Sequence, residues 1–314
     1  MSRWFTLTVC LLGLAFTGTV VWRAGSQRIV KGTDDFLPLY AGARLVGTPE
    51  LYHPRSIYRE EIEASGEMGD SLLCTRMPWV PLLLWPLGRL PYSVAHWVWL
   101  GLRIAAVIAF IWIWPHNPSW ITAMAVSWFL PVMAALGTGQ DAICILFWLG
   151  VWQRLEPKRP FLSGLAIALC TAKFHLFLLL PVYLIANRKW RVIGGASTGI
   201  AALLALSFLA NGWTWPMDYL RVLSNPIIHT GQSHMYSLHG LLSLPFTGEL
   251  AVSVVVALLA IWGIWKLRPA YGLAIALSGG LLLSYHAYLM DCVVLLPGAL
   301  LMFGRNQSAG GSLE

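Results

Sequence analysis

The stretch AICILFWLGVWQRLEPKRPFLSGLAIALCTAKFHLFLLLPVYL, residues 142–184, carries the pattern that decides the fold of this protein. Its apolar runs are separated by a short basic turn and by the tripeptide Lys173-Phe174-His175. The same alternation extends along the 314-residue chain, which is 57% hydrophobic and 11% charged, with a mean hydropathy of +0.66. Because a soluble domain carries about 25% charged residues, the composition predicts an all-α polytopic membrane protein.

Ten apolar runs predict about ten transmembrane helices in a single domain over residues 1–303. The run 78–88 contains three prolines and is predicted to be a re-entrant or interfacial segment. The tail, 304–314, is expected to be disordered or vector-derived. The first run is about 19 residues long and lacks an A-x-A site, so it is interpreted as an uncleaved helix. The ten runs are 4–22, 92–114, 120–136, 141–153, 161–172, 175–186, 192–210, 250–267, 271–285 and 287–303.

The distribution of basic residues predicts the orientation of these helices. With the N-terminus inside, the inner segments hold ten basic residues and one acidic residue, Glu156, apart from the tail. The outer loop 23–77 holds seven basic and eight acidic residues. This positive-inside asymmetry predicts a cytoplasmic (inner) membrane protein with both termini in the cytoplasm.

Three of the predicted helices are too short to cross a bilayer. The runs 141–153, 161–172 and 175–186 would span roughly 18–20 Å of a hydrocarbon core that is about 30 Å thick. Non-helical backbone at membrane depth is tolerated only where protein or water surrounds it. The short runs therefore predict an outward-facing polar cavity, covered by the loops 23–77 and 211–249. Helical stretches are expected in the first loop at 35–46, as an amphipathic helix, and at 55–67.

Several function classes do not fit this pattern. The net charge of +7 suits membrane orientation better than nucleic-acid binding, since the cations lie in short clusters between apolar runs. Four of the five cysteines lie inside apolar runs and none forms a CxxC pair, which argues against a disulfide framework or a zinc site. No HExxH motif or carboxylate cluster accompanies the histidines His229, His234 and His239, so neither a metal nor another cofactor is expected.

Two carboxylates follow the first span. Asp34 and Asp35 would lie near the outer membrane face, where a carboxylate can act as a general base on a hydroxyl group. The alternative is helix capping, since Thr33 and Asp34 are favoured residue types before a helix.

Polar residues at the ends of the short runs have two possible roles. Lys173 and His175 could bind a phosphate group, or Lys173 could form a structural ion pair or extend to the interface. Gln140 and Asp141 follow a GTG turn and could bind sugar hydroxyls or cap the next helix. Arg103, in the middle of its run, is predicted to face the bundle interior, paired or touching an anionic head group.

The last polar positions lie between apolar runs. His286 could bind a phosphate or transfer protons, while Asp291 could equally be a satisfied intramembrane contact. The stretch GGASTG at 194–199 predicts close packing between helices.

Four motifs stand in order along the chain: DFLPLYAGARLVGTPELYHP (35–54), MPWVPLLLWPLGRLP (77–91), GQDAICILFWLGVWQ with SGLAIALCTAKFHLFLLLPVYL (139–153 and 163–184), and SYHAYLMDCVVLLPGALL (284–301). Together they resemble glycosyltransferase family 87, the polyprenyl-phosphate-sugar-dependent, mannosyltransferase-like members of the GT-C superfamily. The similarity covers roughly residues 30–303. The chain departs from the family pattern at Pro78-Trp79, where two prolines are usual, at Asp141, where Asn is usual, and in its shorter length.

The resemblance implies a GT-C-like fold and an inverting glycosyltransferase with an outward-facing site. Its partners would be a polyprenyl-phosphate sugar of mannose or pentose type, a lipid or glycan acceptor, and the bilayer. Asp35 heads the first motif and is implied to be the general base, while Lys173 and His286 map to positions facing the donor phosphate. The residues predicted to bind the donor are Lys173, His175, His286, Arg103, Gln140, Asp141, Tyr40, Asp291 and His239.

Two other classes of function remain open at this level. A lipid or solute transporter would share a midplane cavity and half-length helices, but would predict an inverted repeat, which the sequence does not show. A non-catalytic membrane subunit could retain the fold without the activity.

Overall fold

The computed structural model describes residues 3–66, 73–225, 234–242 and 244–304; His229 and the tail from residue 305 lie outside these ranges. Within them the regular elements are helical. Two 3₁₀ segments, Cys170–Phe177 and Leu289–Val294, lie next to α9 and α16. The α-helices are α1 (Arg3–Lys31), α2 (Phe36–Leu45), α3 (Pro54–Ser65), α4 (Trp79–Gly88), α5 (Tyr92–Ile113), α6 (Ser119–Trp128), α7 (Leu130–Gly137), α8 (Ala142–Leu155), α9 (Pro160–Leu169), α10 (Leu180–Ala186), α11 (Trp190–Asn211), α12 (Trp215–Leu223), α13 (Leu238–Leu242), α14 (Phe246–Lys266), α15 (Pro269–Leu283) and α16 (Leu295–Gly304).

The chain is a polytopic membrane protein. In the described ranges five helical segments are long and apolar enough to cross a bilayer, and the bent pair α6–α7 would make a sixth. The predicted count of ten would further require shorter apolar helices, such as α8 and α15, to count as spans. The five segments are Arg3–Ser26, Tyr92–Ile113, Pro160–Phe177, Trp190–Asn211 and Phe246–Lys266.

The apolar run 120–136 is not one straight helix, contrary to the prediction. It breaks at Phe129, and the two halves meet at an angle of 67°. Pro131 has no N–H group with which to continue the hydrogen bonding of α6. The carbonyl of Ser127, four residues earlier, lies 3.1 Å from the hydroxyl of the buried Thr17, whose single proton is shared with the carbonyl of Gly13 at 2.7 Å. The hydroxyl of α1 thus lies against the carbonyl that the break leaves open.

The runs 161–172 and 175–186 are also divided differently from the prediction. The first helix continues through the 3₁₀ segment to Phe177, with a backbone break at Lys173 (φ −129°, ψ 60°). The second run retains only the seven-residue helix α10. A break at this position turns the Lys173 side chain into the protein interior, where it is 3% exposed.

The first loop forms two helices close to the predicted positions. However, α2 is not amphipathic, since nine of its ten residues are buried. It packs between α3, α4 and α5, and Gly88 of α4 lies so close that a Cβ there would stand 3.0 Å from the backbone of Ala43. The Pro-rich segment forms α4, whose ten residues span about 15 Å and are too few to cross a membrane.

Contacts between connecting segments occur at both ends of the helix bundle. At one end, Glu156 and Lys189 form a salt bridge that joins the α8–α9 and α10–α11 turns, two of the turns predicted to lie inside. At the other end, Asn211 hydrogen-bonds the backbone at Gly47 and Thr48, which joins the first loop to the loop after α11. In both places the two segments in contact are ones predicted to share a side of the membrane.

Glu61 of α3 is a carboxyl group enclosed by the protein. It is 0% exposed, and neither side-chain oxygen has a hydrogen-bond partner among the residues that the structure describes. Burial raises its pKa from the ordinary 4.5 to about 8. The folded state therefore holds a proton that the unfolded chain releases, so stability falls as pH rises from about 4.5 to about 8.

We expect Glu61→Leu to remove this pH dependence. Between pH 5 and pH 8 the parent protein should lose about 3–4 kcal/mol that the variant retains, because one pKa unit corresponds to about 1.4 kcal/mol. Thermal unfolding at both pH values measures the difference, with the exposed Glu63→Leu as a matched control on the same helix. A parent and a variant that respond equally to pH would contradict the prediction.

The predicted close helix packing occurs between α9 and α11. A Cβ on Gly195 would lie 1.9 Å from the carbonyl oxygen of Phe161, whereas one on Gly194 meets nothing within 4 Å. Gly195→Ala must push the two helices apart and is expected to destabilise the protein by about 1–3 kcal/mol. Gly194→Ala should be neutral or slightly stabilising, since Ala is the better helix former. Equal apparent melting temperatures for the two variants would refute this account.

Candidate active site

The link between α1 and α2 holds the two predicted carboxylates in different environments. Asp34 is buried, and its Oδ1 accepts a hydrogen bond from the backbone N–H of Phe36 at 3.1 Å. Asp35 makes no capping bond with its side chain, while its backbone N–H donates to the carbonyl of Thr138 at 2.9 Å. Asp34 thus stabilises the start of α2, and the Asp35 carboxylate is available for another role.

Asp35 is partly exposed and contacts the turn before α8. The side-chain amide of Gln140 donates from Nε2 to Asp35 Oδ2 at 2.5 Å. Burial is the largest influence on this carboxyl and raises its pKa to about 6, against the hydrogen bond from Gln140 and the charge of Lys173, which lower it. At neutral pH the carboxylate is therefore mostly ionised but more basic than an ordinary aspartate.

Lys173 connects the rest of the site. Its Nζ lies 2.6 Å from Gln140 Oε1, 2.5 Å from Asp291 Oδ1 and 3.5 Å from Asp141 Oδ1. Asp291 in turn accepts the backbone N–H of Tyr288 through Oδ2 at 3.0 Å. The ion pair that the sequence left as an alternative for Lys173 is present and joins the 3₁₀ segments before α10 and α16. The contacts of Lys173 with Gln140 and Asp141 connect both segments to the turn before α8.

Arg76 belongs to the site although no motif singled it out. Its guanidinium binds Asp141 through two hydrogen bonds, from Nε to Oδ2 at 2.7 Å and from Nη2 to Oδ1 at 2.9 Å. Asp141 begins α8 without a capping bond from its side chain. In the sequence, Arg76 stands out only as a cation directly before an apolar segment. Its partner Asp141 lies 65 residues later, so neighbouring residues do not indicate the pair.

The network carries nearly balanced formal charge. Two cations, Arg76 and Lys173, face three carboxylates, Asp35, Asp141 and Asp291, so the group has one excess negative charge while Asp35 is ionised. Protonating Asp35 would make the group neutral. The arrangement can therefore accept a proton at the partly exposed Asp35 without leaving an unpaired charge in the interior.

Two predicted histidines lie together beside this network. The ring centroids of His175 and His286 are 6.4 Å apart, and the His286 ring stands edge-on to Tyr288 at 4.8 Å. The buried Nε2 of His175 has no hydrogen-bond partner within the described ranges. Because the backbone of Tyr288 binds Asp291, this aromatic group borders the charged network.

Three other predicted residues bind elsewhere in the structure. Arg103 donates from Nη1 to the carbonyls of Ala135 and Leu136 at the end of α7, at 3.0 and 2.8 Å. The hydroxyl of Tyr40 donates to the carbonyl of Leu90 at 2.7 Å. His239 pairs through Nδ1 with Glu249 at 2.9 Å. Their roles toward a donor remain predictions, and in this structure each connects elements of the fold.

Among the described residues no group of three or more His, Cys, Asp or Glu side chains is arranged to hold a metal ion. The carboxylates of Asp141 and Asp291 both face the ammonium group of Lys173, at 3.5 and 2.5 Å.

The fold and the site define a polytopic membrane protein in which a partly exposed carboxylate borders a buried network of charges. The model of glycosyltransferase family 87 matches residues 78–291, more than half of the chain, so the chain belongs to that family. The resemblance identified from the motifs is confirmed. The match begins after Asp35 and includes Gln140, Asp141, Lys173, His286 and Asp291. Searches of curated proteins and of solved structures each gave no match.

Proposed function

We propose that this protein transfers a sugar of mannose or pentose type from a polyprenyl phosphate to a lipid or glycan acceptor at the outer face of the cytoplasmic membrane. Its family membership supports glycosyl transfer. The observation that carries the proposal is Asp35, a partly exposed carboxylate oriented by Gln140 beside Lys173. The proposal puts both termini in the cytoplasm, because the loops on that side would then carry the excess of basic residues.

In the proposed reaction, Asp35 acts as general base. It removes the proton of the acceptor hydroxyl as that oxygen attacks the anomeric carbon of the donor. The bond between this carbon and the phosphate oxygen breaks, and its electron pair leaves with the polyprenyl phosphate. Attack from the opposite face inverts the anomeric configuration.

The leaving group needs little help from an acid. The second pKa of a phosphate ester is about 6, so the released phosphate is stable as an anion at neutral pH. We propose that Lys173 and the neighbouring residues His175 and His286 stabilise the leaving phosphate electrostatically. Lys173 is held by Asp291 at 2.5 Å, so its charge acts from a fixed position. The reaction as proposed uses no metal ion and no other cofactor.

The test is transfer by the purified protein in lipid nanodiscs. Synthetic polyprenyl-phosphate mannose and pentose donors are supplied with extracted envelope lipids and glycans as acceptors, and nucleotide sugars serve as the comparison donors. Products are identified by mass spectrometry and the anomer by NMR. Transfer from the lipid-linked donors with inversion is expected. Transfer only from nucleotide sugars would overturn the donor assignment, and absence of both turnover and co-purifying prenyl phosphate would favour the non-catalytic subunit.

A further inference from the structure

The turn that carries Gln140 is held rigidly against Asp35. Gly139 has a positive φ of 77°, and a Cβ there would lie 2.6 Å from the Asp34 carboxylate. The indole N–H of Trp99 donates to the carbonyl of Gly139 at 2.8 Å. Together with the hydrogen bond from the Asp35 backbone to Thr138 at 2.9 Å, these contacts fix where the Gln140 side chain begins.

The orientation of the Gln140 amide follows from its charged neighbour. An ammonium group has only donors, so the amide atom 2.6 Å from Lys173 Nζ must be the oxygen Oε1. The amide nitrogen then points at Asp35 Oδ2. Lys173 is itself held by Asp291 at 2.5 Å. Lys173 thus sets the orientation of the Gln140 amide, and the amide in turn orients the Asp35 carboxylate.

We propose that Gln140 is a positioning residue for the general base rather than a ligand for the sugar. Its amide holds the Asp35 side chain in one rotamer and occupies Oδ2 with a donor, which leaves Oδ1 to accept the proton of the acceptor hydroxyl. This inference rests on the proposed function, because it needs Asp35 to be the base.

The charge on Asp35 depends on its surroundings as well as on Gln140. Burial raises the pKa of Asp35, and the charge on Asp34 acts in the same direction. The amide of Gln140 and the cations lower it. Removing the amide alone therefore leaves a carboxyl that is protonated at higher pH. The charged or titratable groups that face Asp35 are Asp34, Arg76, Arg103, Lys173 and Tyr288.

The inference is tested with Gln140→Met, which retains most of the side-chain length and removes both hydrogen bonds. The dependence of kcat/KM on pH should fall off in acid near pH 6 in the parent protein, where Asp35 becomes protonated. In the variant this acidic limb should move up by about one pH unit. At pH 6 the parent should then retain about half of its maximal kcat/KM, and the variant about a tenth. A residue that served only packing would lower kcat/KM equally at every pH.

A matched substitution provides the control. Gln153 lies near the C-terminal end of α8, whereas Gln140 precedes its N-terminal end, and Gln153 hydrogen-bonds His116 at 2.9 Å. Gln153→Met should leave the acidic limb at its original pH.

A second measurement does not depend on turnover. The carbonyl stretch of protonated Asp35 is assigned by infrared difference spectra as the band that Asp35→Asn removes, and its pH titration is compared between parent and Gln140→Met. If the infrared band and the acidic limb of kcat/KM in Gln140→Met both titrate at the parent's pH, the proposed role of Gln140 is wrong. If the variant is inactive, the titration midpoint of the band alone is compared with that of the parent. Undiminished transfer by Asp35→Asn would instead overturn the base assignment of the proposed function.

Discussion

Asp35→Asn is expected to lower kcat/KM by about 1,000-fold while leaving the protein folded. The substitution retains the size of the side chain and an oxygen that can accept the hydrogen bond from Gln140, but it removes the basic group. General-base catalysis contributes about 10²–10⁴ in rate, and of the three carboxylates in the network Asp35 is partly exposed while Asp141 and Asp291 are buried. The rate is measured with a synthetic polyprenyl-phosphate sugar under conditions in which the parent protein is active.

Two further variants make this prediction specific. Asp218→Asn removes a carboxylate that pairs with Arg221 at 2.6 Å on α12, outside the site, and should transfer sugar at the parent's rate. Asp34→Ala should lower stability by about 0.5–2 kcal/mol, because it removes the buried oxygen that accepts the N–H of Phe36 at the start of α2. Transfer by Asp35→Asn at the rate of Asp218→Asn would refute the assignment of the base.

Lys173→Met should have a large effect on both stability and activity. The ammonium group is 3% exposed and neutralises Asp291, with Asp141 nearby. Removing one partner of a buried ion pair costs about 3–5 kcal/mol, because the other charge stays buried and unpaired. Transfer should fall to background, since the Gln140 amide loses its fixed orientation and the leaving phosphate loses a nearby cation.

A double variant separates the two effects. In Lys173→Met with Asp291→Asn the unpaired carboxylate is gone, so most of the stability should return while transfer stays at background. The matched control is Lys189→Met, which breaks the more exposed salt bridge with Glu156 at the other end of the bundle. Pairs near the surface contribute about 0–1 kcal/mol, so its melting temperature should change little. Recovery of transfer in the double variant would show that the Lys173 charge has no part in the reaction.

The family pattern usually has Asn at the position where this chain has Asp141, and the charged network depends on that difference. An Asn there would leave the bidentate Arg76 without a carboxylate partner. The Asp141 carboxylate neutralises Arg76, whose side chain is largely enclosed at the edge of the site, and it also faces Lys173 at 3.5 Å. The site therefore holds two cations without an excess of positive charge.

Much of the molecule could be predicted from the sequence because the relevant signals are local. Apolar run length and composition indicated a polytopic helical membrane protein, and short motifs identified the family. The two first-loop helices and close helix packing at 194–199 were also predicted from neighbouring residues, and the structure shows that packing between α9 and α11 at Gly195. In each case a feature of a few consecutive residues determines the outcome, because helix formation and membrane burial respond to such local patterns.

Only the tertiary structure decided how the polar residues divide their roles. Asp34 and Asp35 are adjacent and chemically identical, yet one caps α2 and the other meets Gln140, which lies 105 residues later. Arg76 was missed because its partner, Asp141, is 65 residues away. A buried charge takes its role from whichever opposite charge the fold brings within hydrogen-bonding distance. The sequence by itself determined the helical membrane architecture and the family, and the packing of the helices decided which of the two carboxylates stays partly exposed beside Gln140.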